Sequence, residues 1–250
     1  QAGQSLPATV HARNLNTATA GADGELHLGL TGNLDRVFVG RALTGTSRVA
    51  GSVSAIEAGL SLSGGWTIGG ELGSLAADTG PVDVTLSVAG DLGTAQAGTD
   101  LLGSLTITGR AFRLEAGRDF AAVVSVGGDV EVIQAGSHLS SHVTVGGGMG
   151  AVIAGYDFSG HVQAGADIDV AAGRNISGQI HAGGAIFGLS AERINGTGPI
   201  FVSPSRLRER YSPRLLDLSP LVAPRRTRPG PTCKPRLAMI LSSPHRKCRQ

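Results

Sequence analysis

Residues 98–109 read GTDLLGSLTITG, 117–128 GRDFAAVVSVGG, 155–165 GYDFSGHVQAG and 173–183 GRNISGQIHAG. Each runs Gly, any residue, Asp or Asn, a large apolar residue, a spacer rich in small residues, then apolar–polar–apolar up to a closing Gly. The apolar positions are Leu101, Leu105 and Ile107, then Phe120, Val124 and Val126, then Phe158, Val162 and Ala164. The alternation at the end of each arm is the period of a half-buried strand. Between these long arms of about eleven residues lie short arms of about eight, reading apolar-x-x-apolar-x-Ala-Gly. Examples are Val53-Ile56-Ala58 and Val130-Ile133-Ala135.

Working outward, the pattern covers residues 3–202. One glycine series opens each unit at 32, 51, 70, 90, 109, 128, 147, 165 and 183, with Arg13 in the equivalent place one step earlier. A second runs between at 21, 40, 59, 80, 98, 117, 136, 155 and 173. Self-similarity at this period marks a repeat architecture. Two short strands per unit leave no room for a helix, and one coil cannot bury its own apolar side. Stacking coils about 4.8 Å apart solves this, because each strand then pairs in parallel with its copies above and below. The sequence therefore predicts an all-β, right-handed parallel β-helix (a β-solenoid) of about ten coils of 18–20 residues each, followed by an irregular basic tail. It also predicts an internal column of Phe120, Leu139, Phe158 and Ile176, with glycine at the corners for positive φ or close backbone approach.

Composition agrees. Glycine is abundant at 39 of 250 residues, while aromatics are only 4% and charged residues 16%, which suits a thin core of small and medium side chains. The net charge of +2 hides an asymmetry. Residues 1–202 hold 9 Lys/Arg against 17 Asp/Glu, a balance of −8, and 203–250 hold 12 against 2, a balance of +10. Eight of the 11 Pro and both cysteines, Cys233 and Cys248, fall in 203–250, so no disulfide or cysteine-held metal is expected in the body. The chain starts at Gln1, already in the repeat, so we expect a processed product or a piece of something longer. No apolar run is long enough to span a membrane as a helix.

The units AGRDF (116–120), VGGDV (126–130) and AGRNISGQIHAGG (172–184) resemble coils of filamentous-haemagglutinin-type adhesins and of Gly-Asp-rich solenoids in large bacterial surface proteins. The resemblance implies an extracellular or cell-surface location and a scaffold or adhesive role, with a surface glycan or another cell surface as partner.

Several residues invite sharper readings. Asp100, Asp119, His138, Asp157 and Asn175 share one repeating position, and Asp91 and Asp129 mark the short arm similarly. Calcium is one reading of Gly-x-Asp beside a turn. The reading we favour is turn capping, in which the side-chain oxygen accepts backbone N–H bonds. His142 and His161 fall one coil apart, with rings about 5 Å apart expected, and His181 lies two positions further along its arm. A metal site there lacks a specified third ligand, so solvated histidines are the plainer reading. Thr67, Thr106, Ser125, Thr144, Gln163 and His181 form an outward polar column, a surface suited to ice or a repetitive glycan if it were uniform. An enzyme acting on polysaccharide would need nonrepeating carboxylates clustered on one face. Here the acids repeat with the coil, and Trp66 is the only tryptophan. No catalytic, cofactor or metal residue is therefore assigned.

The tail, 203–250, breaks the repeat, and its prolines exclude long helices and central strands. It reads as disordered or loosely packed on the last coil, as a basic segment touching an anionic envelope, nucleic acid or the acidic solenoid itself, or as the frame-shifted end of a GC-rich gene. The leading expectation is a non-enzymatic structural or adhesive module. The alternatives are a β-helix enzyme acting on polysaccharide and a subunit that self-associates end to end into filaments.

Overall fold

A computed structural model describes residues 6–194 and 200–202; the tail expected at 203–250 lies outside the described residues. All regular structure among them is β-strand, and every strand pairing is parallel. The short arms form a sheet of ten strands, from Leu15–Ala20 to Ile186–Ser190. The long arms form a sheet of twelve, from Leu6–Ala12 to Ile200–Val202. The chain alternates between the two, which makes a solenoid of about ten turns with its core between the sheets.

Burial follows the arm consensus. Strand Val53–Ala58 is buried at its first, fourth and sixth residues, and the short arms Leu72–Ala77 and Val130–Ala135 repeat that order. The long-arm strand Val82–Val88 instead alternates strictly, with four inward and three outward residues. The predicted column is present: Leu101, Phe120, Leu139 and Phe158 bridge in series, Phe158 pairs with Ile176, and all five are at most 1% exposed. Trp66 is inside too, at 1% exposure, in register with Ser47 and Leu86.

The structure corrects three details. First, the long arm is not one strand throughout. From Gly24–Leu30 to Leu101–Ile107 it is mostly a single strand of seven or eight residues, though one coil breaks at Gly45 into Ala42–Thr44 and Thr46–Val49. From Phe120 onward it bends into two pieces, and Asp157–Phe158, Asn175–Ile176 and Arg193–Ile194 form a third, narrow sheet. In the split arms the first inward place is held by Phe120, Leu139, Phe158 and Ile176 and the next by Ala122, Ser141, Gly160 and Gly178. At Gly178 the substitution of any side chain is blocked, since a Cβ there would lie 2.6 Å from the Phe158 ring.

Second, the opening glycine series slips by one residue near its end. Ala166 N donates to Gly147 O and Gly184 N to Ala166 O, so Ala166 and Gly184, not Gly165 and Gly183, continue the column of Gly128 and Gly147. Third, only Gly45, Gly64 and Gly103 among the described residues have left-handed φ, and all three hold the same position within the long arm. The corner glycines answer instead to close approach: a Cβ on Gly109 would sit 2.1 Å from Asp91 Oδ1 of the preceding coil.

Candidate functional site

The corners carry most of the side chains singled out above. At the entry to the short arm, Asp91 Oδ1 accepts the N–H of Arg110 at 2.7 Å, Asp129 Oδ1 that of Gly148 at 2.9 Å, and Asp167 Oδ1 that of Ala185 at 2.6 Å. Asn14, Asn33 and Ser52 do the same for Asn33, Ser52 and Glu71. Each acceptor reaches the equivalent residue one coil further on. Capping therefore staples neighbouring coils rather than closing its own turn. The glycine before each donor supplies the space: a Cβ on Gly147 would stand 2.1 Å from Asp129 Oδ1, and one on Gly184 2.2 Å from Asp167 Oδ1.

The other corner holds the Gly-x-Asp column. Asp100 Oδ1 accepts the Asp119 N–H and Asp119 Oδ1 the His138 N–H, each at 3.2 Å. Asn175 Nδ2 donates to Asp157 Oδ1 at 2.7 Å, and His138 Nδ1 lies 3.4 Å from Asp157 Oδ2. Arg118 donates from Nε to Asp100 Oδ1 at 2.8 Å and from Nη2 to Oδ2. That paired bond, with the Asp119 N–H in support, holds the Asp100 carboxyl below its ordinary value of 3.8 against the opposing effect of burial. The same bond raises the Arg118 guanidinium. Among the described residues, no group of three or more His, Cys, Asp or Glu is arranged to hold a metal ion.

On the long-arm face, His142 and His161 stack with ring centroids 4.6 Å apart and planes 13° apart. His161 Nδ1 lies 2.9 Å from Gln179 Oε1 on the next coil. His181 is in register with Gln163, two residues along, so it does not join the stack. With Ser140, Ser159 and Ser177 the two rings line a shallow trough of about 570 Å³ across three coils. The outward column is continuous in register and also includes Ser87, between Thr67 and Thr106. From there it runs through Ser125, Thr144 and Gln163 to His181.

Four exposed aromatics, Phe38, Phe112, Tyr156 and Phe187, went unread in the sequence, and two of them share one arm position. Phe112 and Phe187, 49% and 55% exposed, face outward from the short-arm sheet. The signal was available, because both immediately follow the first inward residue of their arms, a place held elsewhere by Ser54, Gly73, Glu131 or Gly150.

Comparison with protein-family models, with curated proteins and with solved structures found no match.

Proposed function

We propose that this chain is a non-enzymatic structural or adhesive module of a bacterial cell-surface or secreted protein. One observation carries the reading: the polar side chains that recur at the corners bond to the next coil. Asp91, Asp129 and Asp167 are used in this way, as are Asp100 and Asp119. A solenoid of about ten turns is compatible with such roles. It supplies a spacer whose stacked coils present extended outer faces, on which a repetitive surface glycan or another cell's surface would meet one row of mostly polar side chains.

The test is binding and turnover by the full chain on an array of surface polysaccharides. Saturable, salt-tolerant binding without release of reducing ends supports an adhesive module, and no binding with retained rod structure supports a spacer. Release of new reducing ends from any of those polysaccharides contradicts the reading in favour of an enzyme.

A further inference from the structure

The outer surface of the short-arm sheet carries a slot whose composition does not repeat. Its axis follows the residue after the first inward position of five successive coils, Phe112, Glu131, Gly150, Asp169 and Phe187, with Phe187 at a register shift where Asp169 pairs with Gly188. The corner residues beside them are Arg110, Asp129, Gly148, Asp167 and Ala185. The order along the rod is therefore an exposed ring, a pair of acids, a pair of glycines, a second pair of acids and a second exposed ring. The two rings stand four coils apart, about 19 Å at the spacing of parallel strands. Between them lies a cavity of about 390 Å³, floored by Gly148, Met149 and Gly150. At Gly148 the floor is open, since a Cβ there would meet nothing nearer than 3.7 Å, whereas one on Gly150 would lie 2.5 Å from Glu131 O.

The charges there are unbalanced. The cavity lining holds Arg110 against Asp129, Glu131 and Asp167, a balance of −2, and Asp169 is exposed on the strand beside it. Arg110 Nε lies 3.7 Å from Asp129 Oδ2, and Asp129 and Asp167 also staple coils. Glu131 and Asp169 are exposed and have no ion-pair partner among the described residues.

The rest of the surface shows what such a ring attracts. Arg36 lies over the Phe38 ring at 5.7 Å and is also bonded to Glu57. Arg174 lies over the Tyr156 ring at 5.2 Å. Phe112 and Phe187 are exposed rings of the same kind, beside carboxylates, with no arginine of the described residues over them. Each offers a ring face that suits a guanidinium group.

The last described strand ends close to the slot. Val202 pairs with Ala182, five residues before Phe187 on the coil beneath. The chain thus leaves the last described strand at the corner that leads onto the slot. The following sequence, SPSRLRERYSPR, places Arg206, Arg208, Arg210 and Arg214 within twelve residues of Val202. At about 3.3–3.6 Å per extended residue, that length covers the whole slot. We propose that the slot is the docking site for the arginine-bearing segment 203–214 of the same chain, with guanidinium groups over Phe187 and Phe112 and bonded to Asp169 and Glu131. The acidic solenoid thereby neutralises part of its own basic extension, and the glycine floor admits an extended backbone.

The test is limited trypsin cleavage of the full chain at Arg206, Arg208, Arg210 and Arg214. It compares the native protein with Glu131→Gln/Asp169→Asn and with Phe112→Ser/Phe187→Ser, and uses Asp35→Asn as the control at the same arm position far from the slot. Docking predicts cleavage about tenfold faster in both double variants, the change given by ~1.4 kcal/mol of docking, and native rates in the control. About 1 M salt should raise the native rate toward that of the variants. Unchanged circular dichroism and melting in the variants attribute the effect to the slot rather than to unfolding. Equal rates in native and variant chains at low salt overturn the proposal. So does protection that weakens on dilution, which would place the segment on a second copy.

Discussion

At the scale of single residues, the stapling acids and the buried indole make separate predictions. Asp100 is held below its ordinary value of 3.8 by Arg118, so its charged form stabilises the folded chain. That contribution is present above the unfolded carboxylate value and is lost as pH falls through the lowered folded value. Arg118→Gln should return the Asp100 titration toward 3.8 and flatten the pH dependence of stability in that acid window. An NMR titration of the Asp100 carboxyl in both proteins checks this, and identical titrations would remove Arg118 as the cause. Trp66 is buried and its Nε1 has no hydrogen-bond partner. Trp66→Phe keeps most of the ring and removes the orphaned donor, so it should change stability by less than ~1.5 kcal/mol. Trp66→Ala should cost ~3–5 kcal/mol by denaturant titration. The inward column from Phe120 to Ile176 was legible in the sequence because equivalent positions repeat. The stapling direction was not, since a carboxylate beside a turn reads the same whether it caps its own coil or the next.

At the scale of one arm, two adjacent glycines give opposite predictions. Gly64 has φ of +111°, and a Cβ there would lie 1.9 Å from Gly45 O. Gly64→Ala should cost at least ~2 kcal/mol, because strain and a backbone clash add. At Gly65 a Cβ would meet Thr46 Cγ2 at 3.5 Å, an ordinary contact, so Gly65→Ala should be neutral or stabilising by about 0.5 kcal/mol. Thermal melts of the two variants distinguish these outcomes. The two-arm period was plain in the sequence, but the splitting of the long arm after residue 120 was not. The unsplit arm has Leu101 and Gly103 where the split arms have Phe120 and Ala122 or Leu139 and Ser141, so split and unsplit arms show the same apolar spacing. The glycine slip at 165 and 183 has a similar origin. Two adjacent glycines, as at 127–128 or 183–184, leave the register undetermined until hydrogen bonds fix it. The slot between Phe112 and Phe187 was illegible for a further reason. Its members lie 19, 19, 19 and 18 residues apart in sequence and become neighbours only when coils stack.

At the scale of the whole molecule, the account is of a quasi-one-dimensional rod roughly 45–50 Å long, ten coils at the strand spacing. Each coil contacts mainly its neighbours, so stability is a sum of coil and interface terms. Arg110 and Asp129 are equivalent corner positions, and removing residues 110–128 joins Gly109 to Asp129 in the register that Arg110 held. Removing only 110–117 deletes one arm and sets the strands that follow against the wrong sheet. The most direct measurement is the thermal unfolding of these two deletion proteins beside the full chain. The account predicts that the whole-coil deletion keeps a parallel-β circular dichroism spectrum and a cooperative melt within about 10 °C of the full chain, while the one-arm deletion loses both. Equal damage from the two deletions would contradict a solenoid built of interchangeable coils.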